Sequence, residues 1–113
     1  MNYYNLFVHL FHILIVGGLF LYIGINRDYS PKFIFNLLII LGTIIIIYHT
    51  YKTYIRLTMK INPWVNLFHI FIVAPLLIYI GIKGTETKRL YFELLLMLAF
   101  AAIGYHAYYI FYN

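Results

Sequence analysis

The chain has 113 residues, of which 65% are hydrophobic and 10% charged, against roughly 25% charged in a soluble domain. With no cysteine, it excludes disulfides, thiolate metal ligands and cysteine catalysis, and its three Asp and Glu argue against carboxylate-bridged di-metal chemistry. The net charge of +5 falls in loops and helix ends, which points to lipid headgroups rather than nucleic acid as its counterpart.

The first apolar stretch runs over residues 6–25. No basic residue precedes it and no small-x-small site ends it, so it reads as a membrane span, not a cleaved leader, with Met1 near the mature start. It carries His9 and His12, then Gly17-Gly18, and ends in Tyr22-Ile23-Gly24-Ile25, where Gly24 serves packing or a helix C-cap. Residues 26–31 form a turn in which Ser30-Pro31 suits a helix start. The second stretch, 33–51, contains Tyr48-His49, and the basic connection 52–62 follows with Lys52, Arg56 and Lys60. The third, 65–82, holds His69 and ends in Tyr79-Ile80-Gly81-Ile82. Residues 83–88 make another short turn, and the fourth stretch, 90–111, contains Tyr105-His106. Each stretch is close to the 17–25 residues, roughly, that a spanning helix needs. Backbone groups in lipid must bond within their own segment, so all four are predicted as helices.

Shifting the sequence by 57 residues lays 5–56 on 62–113 without a gap, and 21 of the 52 pairs are identical. The expected fold is all-α: one four-helix transmembrane bundle from a tandem duplication of a two-helix hairpin, with a pseudo-twofold axis along the membrane normal. Both termini and the central connection then share one face, side A, and the two short turns share side B. Side B carries Arg27, Lys32, Lys83, Lys88 and Arg89 against Lys52, Arg56 and Lys60 on side A, so the positive-inside rule turns side A away from the cytoplasm. Ten aromatic residues, among them Tyr3, Tyr51, Trp64 and Tyr112, give side A an interfacial belt. Gly17, Gly18, Gly42, Ala74, Ala99, Ala101, Ala102 and Gly104 let helices approach closely, within the chain or in a homodimer.

Both copies keep both histidines of the hairpin: His12 and His69, His49 and His106. At 100° per residue, Asn5, Val8, Ile15, Val16, Leu19, Tyr22 and Ile23 lie within about 80° of His12. All seven are identical in the second copy, so this face is expected to pack on protein and to turn His12 and His69 inward. Phe35, Leu38 and Gly42 share a face with His49. His12 lies about 9 Å along its helix from Leu6, and His49 about 7.5 Å from Tyr54, which puts all four histidines in one layer near side A. His9, opposite Asn66 in the second copy, breaks the symmetry.

Neutral imidazole ligates haem iron, zinc and copper. The leading expectation is a small haem- or metal-binding membrane protein, serving electron transfer. Two histidines from equivalent helices would hold a b-type haem, with Lys52 and Arg56 toward its propionates and Tyr48 or Tyr105 on a ligand's second nitrogen. Alternatively His12, His49, His69 and His106, with His9 as a further donor, would hold Zn, Cu or Fe. The arrangement is similar in general form to membrane b-type cytochromes, which hold haems at two depths where this chain has one layer. Two alternatives stand beside it. One is a structural or assembly protein without cofactor that pairs with another copy or another membrane protein. The other is a histidine-gated proton or cation channel, although Asp28, Glu86 and Glu93 all lie toward side B. With no Gly-rich phosphate loop and no Gly-x-Ser-x-Gly elbow, an enzyme is the weaker expectation.

Overall fold

The computed structural model describes residues 2–112, and every regular element among them is helical. Met1 and Asn113, the expected mature start and the last residue of the second repeat, lie outside the described residues. Four helices are long and apolar enough to cross a membrane: Tyr3–Tyr29, Lys32–Thr58, Trp64–Glu86 and Arg89–Phe111. They are called the first to fourth spans below. Asn2 caps the first of them, its side-chain oxygen accepting from the Asn5 amide at 2.8 Å.

The second span is longer than its apolar run. Its 27 residues extend about 40 Å at 1.5 Å each, past the ~30 Å hydrocarbon layer. Lys52 and Arg56, expected in the connection between the copies, are therefore helical. Residues 48–58 contain neither Gly nor Pro, so nothing ends the helix where the charges begin.

The chain divides into two compact units. Unit 1 consists of the first span, to Ser30, with the fourth, from Lys88; unit 2 is Pro31–Thr87, the second and third spans. Both pairs are antiparallel. In unit 1 Gly17 approaches Ile103 and Gly24 approaches Leu96; in unit 2 Gly42 approaches Ile78 and Gly81 approaches Ile39. Each packed pair thus joins the leading helix of one repeat to the trailing helix of the other. The expected hairpin puts its two helices in different units.

The buried positions correspond between the repeats. Val16, Gly17, Phe20, Ile23 and Gly24 are buried in the first span, and Val73, Ala74, Leu77, Ile80 and Gly81 in the third. Phe35, Leu38 and Gly42 in the second match Phe92, Leu95 and Ala99 in the fourth. Gly24 and Gly81 are packing residues. A Cβ on Gly24 would lie 2.6 Å from Leu96 Cγ, and one on Gly81 2.5 Å from Ile39 Cγ1 and 2.7 Å from the Phe35 carbonyl oxygen. The helix ends fall later, at Arg27 (φ 53°) and Gly84 (φ 56°), equivalent positions with the same backbone, which glycine adopts freely and arginine only under strain. Of the other small residues, Gly18 and Gly104 would meet nothing within 4 Å, and Ala101 is exposed.

The stripe expected around His12 is only partly the packed face, because Ile15 is 58% and Tyr22 44% exposed. The cause is a π-helical turn at His12–Val16, repeated at His69–Val73. The amide of Gly17 bonds the His12 carbonyl, and that of Ala74 the His69 carbonyl, five residues back in place of four. In unit 2 this turn also accommodates Pro75, which has no amide hydrogen to offer. One extra residue in a turn shifts the helix phase by about 100°. His12 and Gly24, about 120° apart on a straight α-helix, are thereby brought to within about 20° of one line.

Gly24→Ala and Gly81→Ala are expected to lower the unfolding midpoint of the detergent-solubilised protein, each by about 1–3 kcal/mol of overpacking. The effect should be larger at Gly81, where one atom in the way is backbone. Gly18→Ala and Gly104→Ala should leave stability unchanged or raise it by about 0.5–1 kcal/mol. Equal effects at all four positions would show that the helices do not meet where described.

Candidate functional site

The histidines meet two by two, one pair in each unit. In unit 1 the His12 ring stacks on His106, with centroids 4.2 Å apart and planes at 21°. In unit 2 His69 stacks on His49 at 4.2 Å and 13°. These are equivalent pairs in the repeat.

Each ring is oriented through its Nδ1. His12 Nδ1–H donates to the Val8 carbonyl and His69 Nδ1–H to the Val65 carbonyl, both at 2.7 Å and four residues back on the same helix. A carbonyl only accepts, so Nδ1 carries the hydrogen in both rings, and the lone pair of the neutral imidazole is on Nε2. The other two rings bond across the pair. His49 Nδ1–H donates to Asn66 Oδ1 at 2.8 Å, and His106 Nδ1 faces His9 Nδ1 at 2.9 Å, one nitrogen donating and the other accepting. Burial makes these bonds matter. Asn66 is 6% exposed and His106 9%, and an unsatisfied polar group inside a helix pair is costly.

His9 and Asn66 occupy aligned positions, so the apparent break in symmetry preserves the interaction. Each presents a hydrogen-bonding side chain to the imidazole on the facing helix. Sequence reasoning passed over Asn66. The available signal was chemical type, since both residues are polar side chains able to form a hydrogen bond in an otherwise apolar segment.

The remaining candidate residues surround these pairs. Tyr48 and Tyr105, expected on a ligand nitrogen, lie edge-on to the neighbouring His49 and His106 rings, with centroids 5.1 Å apart in each case. The Nδ1 partners there are Asn66 and His9. Tyr109 lies parallel to His9 at 6.4 Å. Lys52 and Arg56 follow His49 by about one and two turns on the second span. Both are half-buried, and Arg56 Nε is buried without a hydrogen-bond partner. Beyond the imidazoles the buried residues are apolar until the far ends, where Ser30 and Thr87 are buried: Val16, Phe20, Ile23, Phe92, Leu95 and Ala99 in unit 1, and Leu38, Leu77 and Ile80 among those in unit 2. Among the described residues no three His, Cys, Asp or Glu side chains form a group that could hold a metal ion. The four-histidine layer expected from helix counting is thus described only as two pairs, each inside its unit.

No protein-family model, no curated protein and no solved structure matches this chain.

His9→Asn and Asn66→His, which exchange the two versions of the bond, are expected to keep stability within about 0.5 kcal/mol in detergent unfolding. His9→Leu and Asn66→Leu remove it and should cost about 0.6 kcal/mol, the mean for interhelical polar contacts, and up to about 1.7. If the exchanges destabilise as much as the leucines, the two sites are not equivalent.

Proposed function

We propose that this chain is a multi-pass membrane protein with a structural or assembly role. Each imidazole pair serves as a polar clasp that fixes the register of two apolar helices. The chain arises in this reading from a tandem duplication, and the pseudo-twofold axis along the membrane normal belongs to the same proposal. So does the placing of the termini and central connection on the non-cytoplasmic face. The observation that carries the reading is the His9 and Asn66 pair of bonds. An amide oxygen accepts a hydrogen bond well and is a poor ligand for soft or borderline transition metals. At the position where the copies differ, what is kept is the bond across the helices and not a metal donor. The stable helix pairs would then present their exposed faces to lipid and to a membrane partner or a second copy.

A b-type haem or transition-metal site for electron transfer is the second reading. It is favoured by the Nδ1–H bonds from His12 and His69 to backbone carbonyls. Such bonds set the tautomer and orientation of ligating histidines, leaving Nε2 as donor. The π-helical turn beside each of these histidines is a feature frequent at functional sites. In this reading His12 and His69 supply the nitrogens, with His49 and His106 as further donors, and Lys52 and Arg56 meet propionates.

Absorption spectra of the purified full-length protein, oxidised and reduced, with elemental analysis of the same sample, separate the two. The clasp predicts a colourless, metal-free protein in which His12→Ala and His69→Ala lower the unfolding midpoint and leave membrane insertion unchanged. A Soret band or stoichiometric Zn, Cu or Fe that disappears in His12→Ala or His69→Ala would replace the clasp by the second reading.

A further inference from the structure

We propose that unit 2 carries a binding site for a phosphate-bearing anion, in the cleft between the start of the second span and the end of the third. The cleft has a volume of about 340 Å³ and is lined by Lys32, Asn36, Lys83 and Thr85 above Phe35, with Glu86 also among its residues. Two ammonium groups, an amide and a hydroxyl therefore share one cleft with a single carboxylate. No hydrogen bond or ion pair among the described residues occupies any of the four donors. Glycine keeps the cleft open. A Cβ on Gly84 would have only the Phe35 ring near it, at 3.9 Å.

The other repeat carries different groups at the same positions. Gly84 corresponds to Arg27, which adopts the same positive φ and has a half-buried side chain. Lys32 and Asn36 correspond to Arg89 and Glu93, which form an ion pair at 2.7 Å. Lys83 corresponds to Asn26, whose side-chain amide donates to the Tyr22 carbonyl at 2.8 Å. Unit 1 thus pairs Arg89 with Glu93 and ties Asn26 to its own helix, although Arg27 Nε is buried there without a hydrogen-bond partner; in unit 2 no hydrogen bond or ion pair among the described residues engages Lys32, Asn36 or Lys83. The donors lie where spans start and stop, which is headgroup depth for a helix crossing the bilayer. Ammonium and amide donors around a concave site suit phosphate oxygens, whether on a lipid headgroup or on a soluble ion.

The test uses the full-length protein in detergent, with native mass spectrometry of bound phosphatidylglycerol, phosphatidylcholine and inorganic phosphate. Phosphatidylglycerol retained at least fivefold over phosphatidylcholine, with the preference lost in Lys32→Gln/Lys83→Gln and kept in the charge-matched Arg27→Gln/Arg89→Gln, supports a lipid phosphate. Inorganic phosphate bound with the same variant dependence, and no lipid preference, supports a soluble one. No binding preference in the parent protein, or equal losses in both double variants, would overturn the proposal.

Discussion

A ring nitrogen buried between two apolar helices has no water to bond, so it has to be satisfied by protein. Both units meet that demand in the same way. One imidazole bonds the carbonyl a turn back on its own helix, which fixes how it projects. The facing imidazole stacks on it and bonds a side chain across the pair, which ties the two helices. At Gly24 with Leu96, and at Gly81 with Ile39, a steric contact does the complementary job. A polar contact and a close approach, separated along the helices, define register and crossing where apolar surface alone would let the helices slide. Lipid is as apolar as leucine, so burial supplies little preference for one register over another.

The π-helical turn is what makes the two contacts compatible. Between a histidine and a glycine twelve residues apart, a straight helix would point one at its partner and the other well off it. The extra residue removes most of that difference, in both units and at the same place. That a weaker hydrogen-bond geometry is retained twice fits a turn required for packing, whatever else the histidines do.

The four spans were legible in the sequence, because span length and apolarity need no knowledge of neighbours. The partner of each helix was not. Periodicity tells which face of a helix is covered, and short turns suggest that neighbours in sequence are neighbours in space, but here the covered faces of the two helices of one repeat belong to different pairs. The phase error at Ile15 and Tyr22 has a single local cause, since a constant 100° step cannot anticipate a π-helical turn. The inward turn of His12 and His69 was legible from repeat identity. Asn66 was not, because identity was the criterion and its role is preserved by a different side chain. Lys52 and Arg56 show the converse: charge suggested a loop, while helix propensity, with no Gly or Pro to stop it, continued the span.

Crossed pairing also sets an order in time. His49 and His69 are 20 residues apart, and one short connection brings them together; His12 and His106 are 94 apart, and nothing completes their contact until the last span is made. During synthesis from the amino terminus, the inner pair can close while the chain is still growing, whereas the first span waits for His106 on the fourth. Closure of the outer pair must also hold ends separated by nearly the whole chain, a larger entropic cost than the inner hairpin faces. Until the fourth span is made, His9 and His12 lack their contacts with His106, while the bond from His12 to the Val8 carbonyl is available within the first span alone.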